Sequence, residues 1–261
     1  LYVSSIFRKG QFYFKNRWML NVLGKVNHFF VQNKESKLIL SSFGISNSTV
    51  VGDTRIDSVL LTASEKWREH RIEKILDNRP VIIFGSTWRD DHRLITDFIN
   101  DHSSKYRYII APHEIDETSI EELEKNIFLS TSLYTSANEF TDVIIVDSIG
   151  VLKYLYRYAN VAYVGGGFNK GIHNTLEPLS YGIPVFFGPK NHLKFIEASN
   201  IKEYRLGSLV NIENFNSTLV NYLNSDEIRK ETKKNIKLYL KKNKGATVKI
   251  MDNIKSLLES K

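Results

Sequence analysis

The chain of 261 residues contains no cysteine, which excludes disulfides and thiolate metal sites and suits a reducing cytoplasm. No apolar run approaches the roughly eighteen residues needed to cross a bilayer. His-x-Glu-x-His and Asp-x-Asp spacings are absent and the seven histidines are scattered, so nothing marks a divalent-metal centre, and neither a metal nor a cofactor is expected. No Gly-x-Ser-x-Gly elbow supports a Ser-His-Asp hydrolase. Internal repeats and low-complexity linkers are also missing. With 42% hydrophobic residues the composition is that of a globular protein with one large core or two modest ones.

Acids are scarce at both ends. Residues 1–42 carry seven Lys/Arg against Glu35 alone, and residues 229–249 carry nine against Glu231 alone, although the whole chain nets only +7. The middle is therefore acidic. Such segregation argues against a nucleic-acid protein with one continuous basic groove and fits an anionic membrane surface or a phosphorylated lipid.

The most informative stretch is Val161–Pro189, VAYVGGGFNKGIHNTLEPLSYGIPVFFGP. Short apolar runs at Val161–Val164 and Pro184–Phe187, bounded by glycines, have the length and flanks of buried strands. Between them a helix is predicted over Asn174–Tyr181, stopped by Gly182. Strand, glycine loop and helix in that order aim backbone N–H groups and a helix N-terminus at the strand's carboxyl end, where a phosphate or carboxylate would bind. His173 and Glu177, four apart, are predicted to share a face near the first turn. Glu177 would suit sugar hydroxyls better than an anion. The alternative readings are a tight turn at Gly165, Gly166 and Gly167, and a solvated helix-start acid at Glu177.

Alternating apolar runs and helical stretches from Asp53 onward predict a parallel α/β sheet with crossover helices. Strands are expected at Pro80–Phe84, Arg107–Ala111, Asp142–Val146, Val161–Val164, Val185–Phe187 and Gly207–Val210. Helices are expected at Ser58–Leu76, Arg89–Asp101, Ile115–Asn126, Gly150–Tyr158, Asn174–Tyr181, Leu193–Ser199, Ile212–Leu223 and Asp226–Ser260. Before Asp53 come a helix over Gln11–Val26, a strand at His28–Gln32, a helix over Lys34–Ser42 and a strand at Thr49–Val51. The Gln11–Val26 helix either packs on its own domain or lies on a membrane surface. At the other strand ends Ser86 and Thr87 are helix caps or anion contacts, and Asp147-Ser148 either cap the next helix or meet a base.

The run GGGF…GIHN.LEP…G.PV.FGP resembles the signature of the 3-deoxy-D-manno-octulosonic acid (Kdo) transferases, in particular their Bacteroidetes branch. VVGDTRID (Val50–Asp57), IIFGSTW (Ile82–Trp88), IIAPHEID (Ile109–Asp116) and VDSIGVLKYLYRYA (Val146–Ala159) extend the resemblance in the same order. It implies an α/β fold of GT-B type, with two Rossmann-like domains facing across a cleft. Residues 1–52 would be the end of the N-terminal, acceptor-side domain, and 53–261 the complete nucleotide-sugar domain with its basic C-terminal helix. The implied activity is inverting, metal-independent transfer of Kdo from CMP-Kdo to a lipid A precursor, at the cytoplasmic face of the bacterial inner membrane. Donor contacts carried over are Ser86, Thr87, Pro112, His113, Asp147, Ser148, Gly165, Gly166, Gly167, Lys170, His173, Asn174 and Glu177. One departure is Pro112-His113-Glu114, where other members read Pro-Arg-His, so a cation must come from His113, Lys170 or elsewhere. The membrane anchor and catalytic base are expected upstream of Leu1, so this chain would be a truncated or partial sequence that binds donor without transferring sugar. The rival readings are a UDP-sugar transferase, a sugar-nucleotide 2-epimerase, or a non-catalytic, membrane-associated donor-binding remnant.

Overall fold

The structure, a computed structural model, describes residues 1–103, 105–137, 141–169, 171–190, 192 and 196–259. The chain divides into two units, Leu1–Val59 with Leu240–Lys261, and Leu60–Tyr239. The expected division at 52/53, with the C-terminal helix counted in the second domain, thus differs from the observed grouping.

The smaller unit holds a parallel sheet of three strands, β1 (Tyr2–Ser5), β2 (Phe29–Val31) and β3 (Ser48–Val50), in that order. Phe7, Phe14, Phe29, Val31, Ile39, Leu40 and Ile45 form its core. The helix Lys34–Ser42 begins as predicted because the Asn33 side chain accepts from Ser36 N at 2.8 Å. The single helix expected over Gln11–Val26 is instead two, Phe12–Lys15 and Arg17–Gly24. Asn16 breaks it: its backbone is extended and its carboxamide oxygen caps Trp18 N and Met19 N. Ile250, in the last helix Ala246–Glu259, packs with Phe30 and Val51. The Asp57 carboxylate accepts from Gly245 N (2.6 Å) and Thr247 N (2.7 Å), which fixes the start of that helix. Gly245, at φ +91°, divides the continuous helix expected over Asp226–Ser260 into Asp226–Asn243 and Ala246–Glu259.

The larger unit is built on seven strands: β4 (Val81–Thr87), β5 (Arg107–Pro112), β6 (Thr131–Leu133), β7 (Val143–Ile145), β8 (Val161–Val164), β9 (Val185–Phe187) and β10 (Gly207–Leu209). Their order is β10-β9-β8-β4-β5-β7-β6, and every pairing is parallel. Side chains alternate between two buried faces, as a parallel sheet covered on both sides requires. Ile82, Phe84, Tyr108, Ile110, Val161 and Tyr163 join a core with Ile95, Phe98 and Leu219 of the helices Arg89–Asp101 and Phe215–Asn224. Val81, Ile83, Ile109, Ala111 and Ala162 join a second core with Ile72, Leu155 and Tyr156. The edge strand β6 has no buried residue and no apolar run to announce it.

The chain leaves β4 toward β5 and the β6–β7 edge, then returns to lay β8 on the other side of β4. This reversal is the topological switch point of a doubly wound sheet, and ligands bind outside the strands' carboxyl ends there. The ends concerned are those of β4, β5 and β8.

Candidate nucleotide-binding site

At the end of β4 the ladder to β5 skips Ser86, which is held at φ +52°, a left-handed conformation rare outside glycine. The Ser86 side chain is half-buried. Thr87 behaves differently: it is buried, its hydroxyl pairs with His92 Nε2 at 3.2 Å, and its carbonyl accepts from His113 N at 2.8 Å. Of the expected Ser86–Thr87 pair, only the serine hydroxyl is not committed in this way.

The loop after β8 is glycine-rich because backbone meets backbone. A Cβ at Gly165 would lie 2.6 Å from Thr87 Cα and 2.9 Å from Asp91 Oδ2, and would also run into the Ser86 carbonyl. One at Gly167 would lie 2.6 Å from Gly188 Cα. Gly166, at φ +87°, could hold a side chain only with strain and against the Gly171 carbonyl. Gly165 N donates to Gly85 O at 2.9 Å and Gly166 N to Asp91 Oδ2 at 3.0 Å. The expected cradle of free glycine N–H groups is therefore corrected at these two positions, which supply shape rather than donors.

Three rings gather above these loops. Trp88 stacks on His113 with centroids 4.1 Å apart, and His113 lies 4.8 Å from His173. The Trp88 indole N–H donates to His173 Nε2 at 2.7 Å. Burial, and secondarily the neighbouring His113, hold the His173 pKa below the usual imidazole value, while Asp91 opposes them. His113 is exposed, and Pro112, buried, closes β5 in register with Thr87.

The helix predicted over Asn174–Tyr181 spans only Leu176–Ser180, so His173 precedes it and does not share a helical face with Glu177. Asn174 breaks the pattern by turning its carboxamide onto the local chain: Oδ1 accepts from Leu176 N and Nδ2 donates to Glu177 Oε1, both at 3.0 Å. Burial raises the Glu177 pKa above the ordinary carboxylate range, against the pull of Asn174 and Lys153. Glu177 acts electrostatically on the buried Tyr156, whose hydroxyl lies against Gly85 and leaves no room there for a Cβ.

Asp147 is drawn elsewhere. Its carboxylate accepts from Thr135 N (3.1 Å) and Thr135 Oγ1 (2.5 Å), while the next helix starts only at Leu152 with no side-chain cap. The expected cap at Asp147-Ser148 is thus corrected; Ser148 is half-buried beside it. Lys170 lies outside the described residues. Among the described residues, no three His, Asp or Glu side chains gather as metal ligands, and no helix is long and apolar enough to cross a membrane.

Sequence reasoning passed over Trp88 and Asp91. Asp91 is 1% exposed and joins Trp88 N, Gly166 N and the Tyr163 hydroxyl. Its place in the helix's first turn is one that a solvated acid also occupies, so nothing in that position singles it out. The one available signal was the strand–Ser-Thr–helix junction that contains it.

The larger unit has the α/β, Rossmann-like fold of GT-B glycosyltransferases. It is found in the C-terminal CMP-Kdo binding domain of WaaA from Acinetobacter baumannii (TM-score 0.60, 21% identity, 70% of this chain and 98% of that one). UDP-GlcNAc 2-epimerase from Neisseria meningitidis has the same fold (TM-score 0.61, 16% identity, 88% and 63%). By sequence the chain is a relative of the Kdo transferases: it is 26% identical to the 3-deoxy-D-manno-octulosonic acid transferase of Chlamydia trachomatis serovar A over 257 residues, 94% of this chain and 59% of that protein. It is also 32% identical over 230 residues to a bifunctional glycosyltransferase/methyltransferase of Fusobacterium nucleatum, 82% of this chain and 36% of that protein. The chain thus spans between about a third and three fifths of these relatives' length. No protein-family model matches it.

Proposed function

We propose that the larger unit is the donor-binding part of a glycosyltransferase of lipopolysaccharide synthesis that transfers Kdo from CMP-Kdo to a lipid A precursor. The observation that carries this reading is the convergence of the ends of β4, β5 and β8 on Ser86, His113 and His173, with the half-buried Glu177 carboxylate in the first turn of the helix that follows. Similarity to Kdo transferases supports Kdo as the sugar.

In this reading Ser86 and the imidazoles meet the phosphate or the Kdo carboxylate, and Glu177 accepts hydrogen bonds from the ribose. An acceptor hydroxyl attacks the anomeric carbon as a carboxylate takes its proton, and fixed donors stabilise the departing CMP phosphate. The reaction inverts configuration and needs no metal, so EDTA should leave transfer unchanged. Lysines 230, 233, 234, 237, 241, 242, 244 and 249 are exposed and would bring the protein to the anionic cytoplasmic face of the inner membrane. Sedimentation with anionic vesicles tests this; binding that neutral vesicles match would refute it.

The nucleotide assignment is tested by calorimetry. Losing two ribose hydrogen bonds to a carboxylate costs about 2 to 4 kcal/mol, so Glu177→Ala should weaken CMP binding well over about tenfold. Unchanged affinity in a folded variant would remove Glu177 from the site. A sugar-nucleotide 2-epimerase is the second reading, favoured by the shared fold. It predicts preference for uridine nucleotides.

A further inference from the structure

Asp91 is a carboxylate buried to 1% exposure, and the hydrogen bonds it accepts come from uncharged donors in three parts of the site. Oδ1 accepts from the Tyr163 hydroxyl of β8 at 2.6 Å. Oδ2 accepts from Trp88 N at 2.8 Å and Gly166 N at 3.0 Å, and lies 2.9 Å from where a Cβ on Gly165 would be. The Trp88 turn held in this way places the indole N–H 2.7 Å from His173 Nε2. An indole N–H only donates, so Nε2 must accept, and the proton of the neutral imidazole sits on Nδ1.

We infer that Asp91 is a positioning residue of the donor site: its carboxylate clamps the Trp88 turn to the glycine loop and, through the indole, fixes His173 as a neutral imidazole with its proton on Nδ1. This rests on the reading of the strand-end site as the nucleotide's. A neutral Nδ1–H donor serves an anionic ligand at any pH above the imidazole's titration, where a protonated histidine would lose its charge. The titratable groups acting on His173 are His113, which lowers its pKa, and Asp91, which raises it; burial exceeds both. Tyr163 and His92 face Asp91 itself.

Geometry and charge can be separated here. In Asp91→Asn the carboxamide oxygen can take both backbone N–H groups while its NH2 donates to the Tyr163 hydroxyl, which accepts as readily as it donates. The clamp survives without the charge. Asp91→Ala removes both.

The test is ¹⁵N NMR of the histidine rings without ligand, followed by calorimetry with CMP. The wild type should show His173 protonated on Nδ1 at neutral pH, and Asp91→Asn should keep that form and bind CMP within about threefold of wild type. Asp91→Ala should populate the Nε2–H form and weaken CMP at least about tenfold, the scale of one lost charge-assisted hydrogen bond. A folded Asp91→Ala with unaltered His173 signals overturns the inference, since a merely structural role would lower stability alone. If that variant does not fold, Trp88→Phe keeps the backbone donor to Asp91 and deletes the indole donor; His173 must then lose its fixed tautomer, and an unchanged spectrum is the contrary result. The imidazole signals are read without nucleotide, so failure of the wild type to bind CMP would defeat the donor reading and leave the Asp91 result standing.

Discussion

Adding one methyl group at Gly165 should separate the shape of the site from the stability of the fold. The new Cβ would sit 2.6 Å from Thr87 Cα, against a comfortable carbon–carbon separation of about 3.5 to 4 Å, and also against the Ser86 carbonyl and 2.9 Å from Asp91 Oδ2. Two of these neighbours are backbone, which cannot rotate away, so the ends of β4 and β8 must part by about 1 Å. Overpacking of this kind costs about 1 to 3 kcal/mol of stability. The same displacement moves Ser86 and Trp88, and with Trp88 the indole bond to His173. Losing one hydrogen bond to an anion, at about 1.5 to 3 kcal/mol, weakens binding about tenfold to a hundredfold or somewhat more. The control is Gly182→Ala: Gly182, at φ +75°, has nothing within 4 Å of a new Cβ, so the change should cost about 1 kcal/mol through backbone strain alone. Thermal melts and CMP calorimetry on both variants decide the matter. Gly165→Ala folded and binding CMP like Gly182→Ala would refute the claim that this backbone contact shapes the site.

Further outcomes follow from electrostatics. Burial raises the Glu177 pKa, so affinity for CMP should fall as pH drops from neutral toward a midpoint above the ordinary 4.5. Asn174→Ala should move that midpoint higher by deleting the Nδ2 donor to the ionised form, a difference separable from the nucleotide phosphate's own titration near about pH 6. A group whose folded pKa is raised stabilises the fold below its unfolded pKa and loses that contribution as pH rises, so Glu177→Gln should raise the melting temperature at pH 7 while weakening binding. Asp57 has the opposite sign: burial pushes its pKa up, but hydrogen bonds from Thr247 and Gly245 and the charge of Lys249 outweigh it and leave the value depressed. Its stabilisation is present above its unfolded pKa and is lost as pH falls through the lower folded value. In urea melts at pH 7, Asp57→Ala should cost about 1 kcal/mol, as loss of a helix cap does, with the gap to wild type closing in acid.

Much of the fold was legible because buried parallel strands are short apolar runs between turn residues. Val161–Val164 and Val185–Phe187 fall where the runs do, and Lys34–Ser42 and Arg89–Asp101 where the helical period does. The misplaced boundaries lie where a polar side chain competes for the backbone. Asn16 divides one helix and Asn174 delays another, and neither event has a periodic signature. The site was legible as a set of strand ends, because glycine and Ser-Thr punctuation marks them. Its internal wiring was not. Whether Thr87 faces a ligand or His92, and whether Asp91 is solvated or buried under Tyr163, depends on residues as many as 72 positions apart.

The central claim, that the β4–β5–β8 strand ends form a cytidine-nucleotide site, is tested most directly by titrating the wild-type protein with CMP and UMP in parallel by calorimetry. The account predicts saturable CMP binding with UMP weaker by at least about tenfold, the worth of one or two hydrogen bonds to the base. UMP binding as tightly as CMP, or no CMP binding by the folded protein, would contradict it.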